Sequence, residues 1–154
     1  MSVELVRCVP EDIETIWKMQ IEAFASLLER YQDYDTSPGA EKLSKVEARF
    51  NMEGSHFFFI VASGERVGVI RISAIEGRPK RISPVFVMPE YRNKGYAQAA
   101  ITAAESIFGS SDWFLDTILE EKGNCHLYEK MGYVRTGEIE TVNERMHLVS
   151  YVKN

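Results

Sequence analysis

The segment from Val85 to Ala97 constrains the fold of this chain more than any other part of the sequence. It passes from an apolar strand through a short polar turn directly into an alanine-rich helix. The first N–H groups of a helix have no partner within the helix, and the helix dipole makes this end partly positive. The segment therefore predicts a sheet packed on helices, with a site for an anion such as a pyrophosphate.

The residues of the turn suit such a site. Gly95 lets the backbone approach a phosphate closely, and Ala97 keeps the helix close to the sheet. Arg92 and Lys94 can add positive charge. The same residues are equally compatible with an ordinary basic turn that opens a helix, so the turn alone does not decide the function.

Apolar spacing along the rest of the chain predicts an α/β fold in a single domain, residues 1–154. The predicted order is strand, two helices, three strands, helix, strand, helix and two strands, about seven strands in all. Such an order predicts a mixed central sheet with helices on both faces. The last helix is predicted from Asn124 to Met131, and the last strands over Tyr133–Thr136 and Arg145–Val152.

Pro84 lies inside the predicted strand from Arg81 to Met88. Proline cannot donate a hydrogen bond to a neighbouring strand. Its presence predicts a sheet edge, a bulge or a place where the sheet opens.

Composition and spacing argue against several classes of protein. The net charge of −5 and the lack of a basic stripe predict no nucleic-acid partner. No apolar run approaches the ~20 residues of a membrane span. Cys8 and Cys125 are far apart and no secretory leader is visible, so a reduced, cytoplasmic protein is expected. His56, His126 and His147 fall in separate elements without the spacing of metal ligands.

Two motifs resemble those of the GNAT superfamily of N-acetyltransferases. Arg92-x-x-Gly95-x-Ala97 is similar to its pyrophosphate-binding motif, and the residues from Val87 to Arg92 are similar to the strand and loop before it. The later run Leu127-Tyr128-Glu129-Lys130-Met131-Gly132-Tyr133 resembles a second motif of the family. The motifs occur in the family's order, and the order of elements agrees over nearly the whole chain.

The resemblance implies that acetyl-CoA is the cosubstrate and that no metal is needed. The pantetheine arm would lie between two splayed parallel strands, paired with the backbone of Phe86, Val87 and Met88. A backbone N–H near Val87 or Met88 would stabilise the oxyanion. The pyrophosphate would be bound by the backbone N–H groups of six residues: Arg92, Asn93, Lys94, Gly95, Tyr96 and Ala97.

The resemblance makes Tyr128 the best catalytic candidate. A phenol is protonated at neutral pH and could donate to the leaving thiolate. The alternative is that Tyr128 only packs beneath the sheet. The family's usual pantetheine-binding asparagine falls at Glu121 in this sequence. Asn124 either takes over that role or caps the helix.

The acceptor is expected to be the amine of a small molecule or a peptide. Tyr31, Asp33 and Tyr34, in the loop after the first helix, would suit a cation, although the loop could be simply polar. Asp116 and Glu76 are further candidates for acceptor contact, and the general base stays open. The main alternative to an enzyme is a catalytically inactive acyl-CoA-binding or regulatory module. The last strand is expected near a sheet edge, where it could form a homodimer, with a monomer as the alternative.

Overall fold

The computed structural model describes residues 2–154 and contains one mixed sheet of seven strands. The strands are β1 Glu4–Arg7, β2 Ser55–Ala62, β3 Glu65–Ser73, β4 Lys80–Val87, β5 Trp113–Ile118, β6 Val134–Asn143 and β7 Met146–Lys153. The helices are α1 Ile13–Tyr31, α2 Leu43–Phe50, α3 Tyr96–Phe108 and α4 Lys122–Lys130, with three short 3-10 turns besides. The predicted α/β class and order of elements are confirmed.

The strands lie in the order β1-β2-β3-β4-β5-β7-β6, and only β4 and β5 run parallel to each other. Helices cover both faces of this sheet. Phe57 and Phe59 of β2 pack in the same cluster as Ile16 of α1 and Val46 of α2. The alternate residues, such as Phe58, pack instead in the cluster that contains residues of α3 and α4. Because β2 packs against helices on both sides, its residues 57–62 are all apolar.

β4 bulges at the proline, as the sequence predicts. Ile70 pairs with Val85 and Ile72 with Ile82, so Arg71 alone lies opposite Ser83 and Pro84. The Arg71 side chain donates from Nη1 to the carbonyl oxygen of Ser83, 3.0 Å away. The bulged backbone therefore keeps a hydrogen-bond partner, which a buried carbonyl needs.

The C-terminal hairpin differs from the prediction in two ways. β7 is an interior strand between β5 and β6, so β6 is the edge strand and the dimerisation argument based on the last strand is wrong. β6 also extends to Asn143, well beyond Thr136. Its first eight residues are all exposed, so no alternation of buried and exposed positions marks it in the sequence.

Two helices start at different residues from those predicted. Ser37 and Pro38 favour a helix that begins at Pro38, because serine is a common cap and proline suits the first helical position. The structure has instead a 3-10 turn over Pro38–Ala40, followed by α2 from Leu43. α4 begins at Lys122 and not at Asn124. Helix ends are the least certain part of a prediction from sequence, because one or two hydrogen bonds decide them.

Candidate active site

A gap opens between β4 and β5 soon after both strands begin. Their pairing consists of Lys80 with Trp113 and Arg81 with Phe114. Beyond Arg81, the side of β4 that faces β5 has no strand beside it. The backbone of that side is therefore open to a ligand, which could pair with it as an added strand would.

The hydrogen bonds of β4 show which backbone groups face this gap. The Met88 N–H donates to the carbonyl oxygen of Val67 on the β3 side, 2.8 Å away. Successive residues of a strand direct their N–H groups to opposite sides. The N–H groups of Val87 and Val85 therefore point away from β3, into the gap. Consistent with this, the Val87 carbonyl accepts a hydrogen bond from Arg92 Nε at 3.0 Å and not from β3.

This arrangement corrects the expected pairing of Phe86 and Met88 with a ligand. Both direct their backbone groups to β3, and Val85, which the sequence analysis did not select, joins Val87 at the open side. Gly68 makes the close approach of β3 to β4 possible. A Cβ built on Gly68 would lie 2.1 Å from the Phe86 carbonyl oxygen, far inside van der Waals contact.

The turn after β4 presents unpaired backbone amides, although the Arg92 N–H, one of the six expected to bind the pyrophosphate, donates instead to the Pro89 carbonyl oxygen at 3.4 Å. Asn93 and Gly95 adopt left-handed conformations with φ of 63° and 81°, and Gly95 is the N-cap of α3. Among the described residues, no backbone carbonyl accepts a hydrogen bond from the N–H groups of Gly95 to Gln98. Amides that converge in this way at a helix start form an anion-binding concavity. A Cβ on Gly95 would meet no atom within 4 Å, so its backbone conformation, and not crowding, favours glycine there.

The charged side chains of the turn also make contacts within the protein. Arg92 donates from Nε to Val87 and from Nη2 to the carbonyl oxygen of Ala23, 2.5 Å away. Its guanidinium therefore ties α1 to the end of β4, while Arg92 also lines the large cleft and its Nη1 has no hydrogen-bond partner in residues 2–154. Lys94 does not line the cleft, and its Nζ lies 5.9 Å from the centre of the Tyr91 ring.

Two adjoining cavities occupy the gap. The large cleft, of about 520 Å³, lies between α1, the end of β4, the turn before α3 and the start of α4. The small pocket, of about 270 Å³, lies between α1, the loop of residues 33–38, β4, β5 and β7. The two cavities share five lining residues: Phe24, Leu27, Val85, Asn124 and Tyr128. A molecule in one cavity can therefore meet a molecule in the other beside Tyr128.

Tyr128 belongs to a cluster of three tyrosines, and its hydroxyl is the one that makes no hydrogen bond within residues 2–154. Its ring lies 6.0 Å from that of Tyr133 and 6.1 Å from that of Tyr151. The Tyr151 hydroxyl donates to Glu129 at 2.7 Å and the Tyr133 hydroxyl to Glu105 at 3.3 Å. Burial raises the pKa of Tyr128 to about 12, so the phenol is protonated at neutral pH.

Asn124 lines both cavities from the first turn of α4. Because the helix already begins at Lys122, Asn124 is not its cap, and the capping alternative is excluded. Glu121, just before the helix, accepts hydrogen bonds from the Tyr31 hydroxyl and from Arg30 Nη1, the latter at 2.7 Å. Glu121 therefore ties the end of α1 to the start of α4.

The acceptor candidates fall into two groups. Tyr31, Asp33 and Asp116 line the small pocket. Tyr34 is 65% exposed and Glu76 lies in the exposed turn between β3 and β4, and neither lines either cavity. The structure therefore gives no support to an acceptor role for these last two.

The pocket also contains residues that the sequence analysis did not select, namely Arg81, Thr36 and Ser37. They come from a strand and a loop that are far apart in the sequence, and no local pattern marks them.

Comparison with known proteins now assigns the family. The sequence model of the Acetyltransferase (GNAT) family matches residues 20–133, well over half of the chain. This chain belongs to the GNAT acetyltransferase family. It is an acyltransferase, and the resemblance seen in its two motifs is confirmed.

Solved structures of GNAT proteins share the fold. Spermidine N-acetyltransferase from Vibrio cholerae, in complex with CoA and spermine, superposes with a TM-score of 0.74 at 19% identity, covering 97% of this chain and 94% of that one. The ribosomal-protein-S18-alanine N-acetyltransferase from Escherichia coli superposes with a TM-score of 0.75 at 12% identity, covering 97% and 91%. At these identities the likeness establishes the fold and leaves the acceptor open.

No helix in residues 2–154 is both long enough and apolar enough to cross a membrane. Over the same residues, no three or more His, Cys, Asp or Glu side chains are grouped so that they could hold a metal ion.

Proposed function

We propose that this GNAT protein transfers the acetyl group of acetyl-CoA to a primary amine. The observation that carries the proposal is the meeting of two cavities beside the unpaired hydroxyl of Tyr128. One cavity is lined by free backbone amides, which suit a pyrophosphate and an extended amide-containing chain. The other is a separate entrance for an acceptor. The Vibrio cholerae relative, whose structure contains CoA and spermine, gives this assignment support from the fold.

The residues of the large cleft fit CoA. The N–H groups from Gly95 to Gln98 would bind the pyrophosphate, as free amides at a helix start bind anions. The open backbone of Val85 and Val87 would pair with the amides of the pantetheine arm. Asn124, at the junction of the cavities, would donate or accept a further hydrogen bond to that arm. When bound, acetyl-CoA supplies an acetyl group activated as a thioester.

Val87 is proposed to stabilise the acetyl oxygen. Its N–H points into the gap and is fixed by β3–β4 pairing on either side, so it needs no rearrangement during the reaction. A preorganised donor of this kind is worth about 10²–10³-fold in rate in other acyl-transfer enzymes. Met88, the other residue considered from the sequence, has its N–H committed to Val67.

Tyr128 is proposed to donate to the sulfur that leaves. In the overall reaction a C–N bond forms, the C–S bond breaks, and a proton lost by the amine ends on the sulfur. The hydroxyl is free to donate because no protein group occupies it. Since its pKa is about 12 and that of an ordinary thiol about 8.5, a hydrogen bond to the developing thiolate is favoured over complete loss of the phenol proton.

Calorimetric titration with acetyl-CoA tests the proposed cofactor site. Ala97 lines the large cleft in the first turn of α3, so Ala97→Glu would place a carboxylate among the proposed pyrophosphate contacts. An acidic residue in the first turn of a helix is favourable for the helix itself, so the variant should fold. Thr102→Glu is the matched control, because Thr102 is exposed on the same helix and lines neither cavity.

We expect the wild type and Thr102→Glu to bind acetyl-CoA with similar affinity and Ala97→Glu to bind at least tenfold more weakly. An amine panel with thiol detection then tests for transfer. A protein that binds acetyl-CoA but transfers to no amine would be an inactive acyl-CoA-binding module. Equal binding by both variants would contradict the proposed site.

A further inference from the structure

The small pocket contains three charged side chains, and its two carboxylates already accept hydrogen bonds from the protein. Asp33 accepts hydrogen bonds from the Thr36 N–H, at 3.0 Å, and from the Thr36 hydroxyl. Asp116 accepts from the Ser150 hydroxyl at 2.6 Å and from Arg81 Nη2 at 3.2 Å. Every carboxylate oxygen that faces the pocket therefore already has a donor from the protein.

Arg81, the third charged residue, is fixed in place but incompletely bonded. Asp116 holds its Nη2, and the guanidinium lies 5.3 Å from the centre of the Phe114 ring. Its Nε is enclosed and has no hydrogen-bond partner in the described chain. Its Nη1 also donates to no group of residues 2–154, whereas Nη2 makes the one hydrogen bond to Asp116. Arg81, whose side chain is 41% exposed, thus has an Nη1 group that is left to donate to a ligand.

The position of Arg81 relates it to the reaction centre. Arg81 and Tyr128 line the same small pocket, which is bounded between them by residues Ser83 to Val85 of β4. Arg81 precedes Val85 by four residues along the bulged strand β4, and its long side chain can span part of the distance between them. An acceptor whose amine lies beside Tyr128 would direct its other end towards Arg81.

We propose that the acceptor is a primary amine that also carries a carboxylate, and that Arg81 binds this carboxylate. The planar guanidinium matches a carboxylate in shape and charge. The second ammonium group of a diamine would instead have to share carboxylate oxygens that already accept from Thr36, Ser150 and Arg81, and would lie near the positive charge of Arg81. This selectivity rests on the proposed function, because it concerns the acceptor of the same reaction.

Pairs of amines that differ only in a carboxylate provide the test. L-lysine is compared with 1,5-diaminopentane, and 4-aminobutyrate with 1-aminopropane, as acceptors for wild type, Arg81→Gln and Arg78→Gln. Arg78 is an exposed residue of the turn before β4 that lines neither cavity, so its variant removes the same charge outside the pocket. Acetyl-CoA affinity and the thermal midpoint of each variant report whether the fold is intact.

For at least one pair, wild type should have a kcat/KM at least tenfold higher for the member with the carboxylate. Arg81→Gln should remove most of this preference by raising the KM of that member, with little change for its partner. Arg78→Gln should behave as wild type, and Arg81→Lys, which keeps the charge without the planar fork, should retain part of the preference.

Three results would overturn the inference: a wild-type preference for the amines without a carboxylate, an equal loss for both members in Arg81→Gln, or no transfer to any member of the panel. None of these results contradicts the proposed function, provided that the protein binds acetyl-CoA and acetylates another amine. Failure of wild type to bind acetyl-CoA would instead contradict the proposed function itself.

Discussion

The two cavities of this protein are built from different parts of the chain. The large cleft presents backbone groups: the open side of β4 and the free amides from Gly95 to Gln98. The small pocket presents side chains from α1, the loop of residues 33–38, β4, β5 and β7. In the proposed function, the large cleft binds acetyl-CoA and the small pocket selects the acceptor. Backbone groups cannot be exchanged by substitution, whereas side chains can.

The junction of the two cavities should show the largest effect of substitution. Tyr128→Phe removes the one hydroxyl of the tyrosine cluster that no protein group uses. We expect kcat to fall about 10²-fold or more, with little change in acetyl-CoA affinity or in the free energy of unfolding. Steady-state kinetics, calorimetry and thermal unfolding measure the three quantities.

Tyr151→Phe is the matched control, since that hydroxyl donates to Glu129 and lies outside both cavities. It should cost about 1 kcal/mol of stability and leave kcat within a factor of two. If Tyr128→Phe and Tyr151→Phe changed kcat equally, the free hydroxyl of Tyr128 would have no special role in catalysis.

The large cleft, which presents backbone groups, should be sensitive to the distance between β3 and β4. Gly68→Ala would place a Cβ 2.1 Å from the Phe86 carbonyl oxygen, so β4 has to move away from β3. We expect a loss of about 1–3 kcal/mol in the free energy of unfolding. Acetyl-CoA affinity should fall as well, because Val87 moves with its strand.

Chemical denaturation and calorimetry test Gly68→Ala. A destabilised variant that binds acetyl-CoA with wild-type affinity would show that the position of β4 does not set the cofactor site.

Substitutions in the small pocket should have smaller effects, which change the KM of the acceptor and not the affinity for acetyl-CoA. Asp33→Asn replaces one of the two oxygens that accept from Thr36, so the loop after α1 loses a hydrogen bond, worth about 1 kcal/mol. We expect the KM of the acceptor to rise severalfold while acetyl-CoA affinity is unchanged. Asp35→Asn, in the same loop but outside both cavities, is the control. A weaker affinity for acetyl-CoA in Asp33→Asn would mean that the two cavities are not separable.

The smallest predicted effect is that of pH on the kcat of wild type through the ionisation of Tyr128. Burial disfavours the phenolate, which raises the pKa of Tyr128 from its ordinary value to about 12. The protonated form is the one that donates, so this group should cause no loss of kcat up to about pH 10, and a loss only above it. A descending limb near pH 9 in wild type that is absent from Tyr128→Phe would contradict the raised pKa.

Much of the fold and of the cofactor side could be predicted from the sequence, because local patterns encode them. Pro84 marks the bulge, and the run from Val85 to Ala97 marks the strand, turn and helix. Which backbone groups of β4 stay free could not be predicted. That depends on the register between β3 and β4, where one step exchanges Val87 for Phe86 and Met88.

Several residues of the small pocket could not be predicted from the sequence, for a different reason. Asp116 was a candidate from the sequence, but Arg81, Thr36 and Ser37 join it only through the sheet order and the α1–α2 loop, and no local pattern marks them. Arg92 also has structural contacts that the sequence did not predict. Its motif suggests contact with an anion, yet its guanidinium binds the carbonyl groups of Val87 and Ala23.

Residue-resolved amide hydrogen exchange, with and without CoA, tests the central claim most directly. In the free protein we expect the Met88 amide to exchange slowly, since it donates to Val67, and the amides of Val87 and of Gly95 to Gln98 to exchange quickly. CoA should slow the exchange of Val87 and of the turn amides and leave Met88 unchanged. A Val87 amide that is as protected as Met88 without CoA, or that does not respond to CoA, would contradict the account.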